Sequence, residues 1–115
     1  KAYLNQRADK KAMNDLQTLA KDTRTLYGAE AKYLVAQQLY KAGEYTAAEK
    51  EILNFIDQST PHAYWLARSF VLLSDVYVAM DKKLDARQYL LSLQLNYHAD
   101  DDIEQMINER LEKLK

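Results

Sequence analysis

With 115 residues, 48% of them hydrophobic and 29% charged, the chain can bury one compact core and does not have the composition of a disordered segment. It contains no cysteine, which excludes disulfides, thiolate metal sites and cysteine nucleophiles. A formal net charge of −1 gives no electrostatic pull toward nucleic acid or an anionic membrane, and no apolar run approaches the ~18 residues of a membrane span.

Two glycines and one proline are too few breakers for a many-turned β fold, so helices joined by short links are expected. In chain order, residues 1–27 are read as a partial helical repeat. A first complete repeat covers residues 28–60. In its first helix Leu34, Val35, Gln38, Leu39 and Ala42 recur at helical spacing. Gly43 is expected to stop that helix in a left-handed conformation. Thr46-Ala47-Ala48-Glu49 has the spacing of a capping box and is expected to start a second helix through Ile52, Phe55 and Ile56.

Residues 61–98 form the next unit. Ser59-Thr60-Pro61 places a hydroxyl cap before proline, predicting a helix from Pro61 to about Met80. That helix carries an N-terminal extension, including Tyr64 and Trp65, which its counterpart lacks. Asp81-Lys82-Lys83 makes the turn, and a partner helix runs from Asp85 to Tyr97. In residues 99–115, Asp100, Asp101 and Asp102 suit the positive end of a last helix. Its stripe of Ile103, Met106, Ile107, Leu111 and Leu114 calls for a covering surface, with the helix of Tyr89, Leu90 and Leu93 as the candidate.

The units are copies of one another. AEAKYLVAQQLYKAGEYTAAEKEILNFI, from Ala29, aligns without gaps on ARSFVLLSDVYVAMDKKLDARQYLLSLQ, from Ala67. Ala36 falls on Ser74 and Ala48 on Ala86, at the places where paired helices would cross. Val35, Leu39, Ile52 and Phe55 fall on Leu73, Tyr77, Leu90 and Leu93. Tyr3, Ala12, Leu16 and Leu19 take the equivalent places in the partial copy.

These residues, with the turn KAGEY, resemble the tetratricopeptide repeat (TPR) family, over Tyr3 to about Tyr97. Lys32 and Phe70 stand where many such repeats carry tryptophan, and Asp81 replaces the turn glycine of the second copy. The resemblance implies an all-α chain: a right-handed α-α superhelix of antiparallel helix pairs, closed by a C-terminal capping helix. The wording of the last repeats is similar to the C-terminal repeats of large bacterial cell-envelope TPR proteins. That similarity implies a periplasmic or outer-membrane-associated setting, with cytoplasm as the alternative.

Nothing in the sequence calls for catalysis, a cofactor or a metal. His62 and His98 lack a second ligand at metal spacing. Asp100-Asp101-Asp102 does not alternate as a calcium loop requires. Glu49 with Glu51, or Asp100 with Glu104, has no accompanying motif that would make it an acid–base pair. The expected function is a non-catalytic scaffold that binds an unidentified peptide or protein, without nucleic acid and without direct membrane insertion. The alternative is a structural end-piece of a longer array. Self-association through a truncated N-terminal edge is a further expectation.

In the family the first helices line a concave face. Here the resemblance places Glu30, Tyr33, Gln37, Tyr40 and Lys41 on that face from one pair, and Arg68, Val71, Asp75 and Val78 from the next. The family's clamp for a peptide C-terminus is not expected. Tyr33 and Gln37 occupy the places of its lysine and asparagine, and Asp75 is expected to repel a carboxylate.

Overall fold

The structure, a computed structural model, describes residues 12–114. Tyr3 and the N-terminal edge expected to self-associate lie outside the described residues. Among those described there are helices and turns but no strand. A helix over residues 12–19 (α1) is followed by α2 (Leu26–Lys41), α3 (Tyr45–Asp57), α4 (Ala63–Ala79), α5 (Lys83–Asn96) and α6 (Ile103–Lys113). None of the described helices is long and apolar enough to cross a membrane.

The links between helices follow from a few backbone positions. At the end of α2, Gly43 takes φ +80°. The Glu44 N–H then donates to the Leu39 carbonyl at 2.9 Å and the Gly43 N–H to Tyr40 at 3.0 Å, which satisfies carbonyls the helix end would leave bare. The end of α4 repeats the pattern with aspartate in glycine's place. Asp81 adopts φ +62°, and Lys82 N–H donates to the Tyr77 carbonyl at 2.7 Å.

Two expected helix starts are corrected. The capping box does not form: α3 begins at Tyr45 with Glu44 as its N-cap, and no side chain caps it. Leaving the Gly43 turn, the chain enters the helix at once, which puts Thr46 already inside it. Helix α4 begins at Ala63, not Pro61, with His62 as N-cap. The Thr60 hydroxyl is committed elsewhere. It donates to the Thr23 carbonyl at 2.6 Å and accepts the His62 N–H at 3.2 Å, which holds Pro61 in a turn ahead of the helix.

Short links fold each pair back on itself. Lys32 of α2 reaches Glu51 of α3 at 2.8 Å, and Tyr77 of α4 lies against Tyr89 of α5. Between pairs the order of contacts is the same along each helix. Tyr33 of α2 meets Trp65 and Arg68 of α4, and farther along Tyr40 and Asp75 border the same hollow. Tyr64 of α4 meets Asp102, just before α6, and Asp75 meets Arg110 of α6. So α2, α4 and α6 run parallel in one row, with α3 and α5 behind them.

The crossing positions are filled as expected: Ala36, Ala48, Ser74 and Ala86 are all buried, at 0–1% exposure. Small side chains there let the backbones approach. Ile52, Phe55, Leu73, Val76 and Leu90 fill the space beside them, each contributing about 1.5–3 kcal/mol when fully buried. A second cluster joins Ala67 and Val71 of α4, Leu90 and Leu93 of α5, and Ile103 and Ile107 of α6. The closing helix thus packs its apolar stripe as expected, and Asp102, Glu104, Glu109, Glu112 and Lys113 face outward.

The partial copy departs from its expected register. Ala12 is exposed and Leu19 is 52% exposed, whereas Ala20 is buried. Met13 and Leu16 of α1, with Ala20 just after it, pack on Ala31 and Val35 of α2. The following loop folds tightly under α2. A Cβ on Gly28 would lie 1.7 Å from the Asp22 carbonyl oxygen, so only glycine fits there. Lys32, at the expected tryptophan place, is 7% exposed, and its ammonium is satisfied by Glu51 across the pair.

Candidate functional site

The exposed side of the α2–α4–α6 row carries two adjoining hollows. One, of about 180 Å³, is lined from α2 by Tyr33, Gln37, Tyr40 and Lys41 and from α4 by Arg68, Val71 and Asp75, with Arg110 of α6 closing it. The other, of about 480 Å³, lies toward the C-terminal ends of the helices, between Ser74, Val78, Lys83 and Lys113. Tyr40, Asp75 and Arg110 border both, so the hollows form one groove.

The expected lining residues are therefore brought together, except Glu30, which borders neither hollow. Their exposure is unequal. Tyr33 and Val71 are buried at 6% and 3% and form the floor more than the surface. Gln37, Tyr40, Arg68 and Asp75 are half-buried, while Lys41 and Val78 are open to solvent.

An aromatic cluster lies beside the smaller hollow at Tyr33 and Arg68. Tyr33 and Trp65 pack at 5.6 Å between centroids with their rings tilted by 43°, and Tyr64 meets Trp65 edge-on at 5.2 Å. The Arg68 guanidinium lies 4.8 Å from the Tyr33 ring centre and 5.6 Å from that of Trp65, within cation–π range of both. The N-terminal extension of α4 supplies Tyr64 and Trp65, which flank Arg68 without lining either hollow.

The middle is bridged by a residue the sequence did not single out. Arg110 grips Asp75 with two hydrogen bonds, Nε to Oδ1 at 2.9 Å and Nη2 to Oδ2 at 3.0 Å. The expectation that Asp75 repels an incoming carboxylate is corrected, because a paired guanidinium cancels its charge. Burial pushes the nearby Tyr40 phenol above its ordinary pKa, with the Asp75 carboxylate adding to the effect. The available signal for Arg110 was a cation at the edge of the apolar stripe of α6, 35 positions after Asp75, the same offset that separates Arg68 from Tyr33.

The other polar groups considered in the sequence have structural partners. His62 Nε2 sits 2.9 Å from the Arg24 carbonyl, and His98 Nε2 2.9 Å from that of Leu95. Asp101 accepts the Ile103 N–H at 2.9 Å, starting α6, and also the Tyr97 hydroxyl. Asp102 accepts the Tyr64 hydroxyl at 2.8 Å. Glu51 is taken by Lys32, and Glu49 lies beside the Tyr77 hydroxyl. Among the described residues no group of three or more histidines and carboxylates is placed to hold a metal ion.

Comparison with known protein families, curated proteins and solved structures gives no match to the chain.

Proposed function

We propose that the chain is a tetratricopeptide-like interaction module, a non-catalytic scaffold whose helix pairs form a right-handed superhelix and whose ligand is a peptide or protein segment held along the α2–α4–α6 row. One observation carries this. Residues from both repeats and from the closing helix converge on a continuous groove whose half-buried lining includes Gln37, Tyr40, Arg68 and Arg110, with Trp65 beside it against Arg68. Tyrosine, tryptophan and arginine are the side chains that most often anchor interfaces, because they combine large apolar area with directed hydrogen bonds. The repeat alignment and the parallel order of α2, α4 and α6 support the family reading.

A second reading, the closing unit of a longer array, is favoured by α6. It stands beside α4 as α4 stands beside α2, yet turns charged residues outward where a further pair would need apolar ones.

The two readings separate experimentally. Peptides selected from a displayed random library against the chain are retested against Lys41→Ala and Arg68→Gln in the groove. Leu95→Gln serves as control, at a 76% exposed site on the opposite row. Loss of binding with the groove variants alone supports the module. Failure to select any peptide, or loss with Leu95→Gln alone, contradicts it. Tyr33→Ala is a poor probe, since Tyr33 belongs to the core.

A further inference from the structure

The groove differs in charge from the chain that carries it. The side chains lining the two hollows include five cations and two carboxylates, a net +3, on a chain of formal charge −1. Arg110 and Asp75 neutralise one another. Lys41, Arg68, Lys83 and Lys113 remain, opposed only by the exposed Glu109. None of these four is ion-paired within 4 Å among the described residues.

Lys41 and Lys113 occupy last turns, where a cation also offsets the helix dipole. Arg68 has no such role. It sits in the second turn of α4, away from the helix's negative end, half-buried and without a carboxylate. Cation–π contacts with Tyr33 and Trp65, at 4.8 and 5.6 Å, hold its guanidinium in place. A guanidinium oriented in advance loses less freedom on forking to a carboxylate than a mobile lysine does.

We infer that the groove takes an acidic segment of a partner protein, with Arg68 gripping one of its carboxylates over the Tyr33–Trp65 platform and Lys41, Lys83 and Lys113 attracting the rest. This rests on the interaction-module reading and narrows it to one class of ligand by charge complementarity.

Trp65 is the only tryptophan in the chain and lies beside Arg68, so its fluorescence reports occupancy directly. The intact chain is titrated with peptides of about twelve residues in which glutamate alternates with leucine, with glutamine or lysine replacing glutamate in matched controls, and with an oligothymidine of similar length. The acidic peptide is expected to bind at least about tenfold more tightly than the glutamine one and to weaken sharply at about 0.5 M salt. Arg68→Gln should weaken it about tenfold, and the doubly substituted Lys41→Gln/Lys83→Gln, at exposed sites, should weaken it measurably. Lys50→Gln, on α3, should leave it unchanged. Equal binding of the glutamine or lysine peptide overturns the acidic ligand while leaving the interaction module standing. Preference for the oligothymidine, or no binding by any probe, overturns the acidic ligand, and the first of these also counts against a protein ligand.

Discussion

Arg110 of α6 and Asp75 of α4, 35 residues apart, face each other through two near-parallel hydrogen bonds of 2.9 and 3.0 Å. The pair couples the closing helix to the middle of the row and sets the electrostatics of the groove. Both side chains keep roughly a quarter of their surface in water. A double-mutant cycle with Arg110→Ala and Asp75→Ala is therefore expected to give a coupling of about 1 kcal/mol by urea unfolding, at the upper end for a solvent-screened pair because the contact is bidentate. A coupling near zero would mean that α6 is held by its apolar stripe alone.

The two turns inside the helix pairs make opposite predictions. A Cβ on Gly43 meets nothing within 4 Å, so Gly43→Ala isolates the strain of a left-handed backbone and should destabilise by about 1 kcal/mol. Asp81 already bears that strain at φ +62°. Asp81→Gly should leave stability unchanged or raise it by up to about 1 kcal/mol. Chemical denaturation of the two variants side by side checks the sign of each.

Ala48 and Ala86 have no exposed surface. Replacing either with leucine should cost about 1–3 kcal/mol through overpacking. Ala12, their counterpart in the repeat alignment, is exposed. Ala12→Leu should stay within about half a kcal/mol. Thermal melts of the three variants would show whether burial or alignment governs the cost.

What could be read in advance was what repeats locally. Val35 with Leu73, Ile52 with Leu90, and the small residues at the crossings share a spacing because each pair packs by the same geometry, and the stripe of α6 has one helix's period. The failures have local causes too. Thr46 and Pro61 had suitable neighbours for starting a helix, but Gly43 lets the chain enter α3 early, and Thr60 spends its hydroxyl on Thr23. Both competing contacts depend on the path of the chain. The groove was legible on α2 and α4, where periodicity applies. Arg110 and Lys113 were not, because their place depends on α6 docking alongside α4, a long-range contact with no periodic signature, and Lys83, expected in the turn, instead begins α5.

The tyrosines make stability fall in alkali. Burial and the neighbouring Asp101 carboxylate push the Tyr97 phenol up to about 12, and burial beside Glu49 raises that of Tyr77. An unfolded tyrosine ionises near pH ~10. Between about pH 10 and 12 the unfolded chain therefore sheds protons the folded chain retains, so the stability present in full below pH 10 declines through that window. Tyr97→Phe should make the decline shallower, as followed by denaturant midpoints across the range.

The central claim, that ligand is held along the α2–α4–α6 row, is tested most directly by amide chemical shifts of the labelled chain titrated with a library-selected peptide. The account predicts shifts concentrated on Gln37, Tyr40 and Lys41 of α2, Arg68 and Asp75 of α4, and Arg110 of α6. Shifts centred instead on the opposite row, around Leu84, Leu91 and Leu95 of α5, would contradict it.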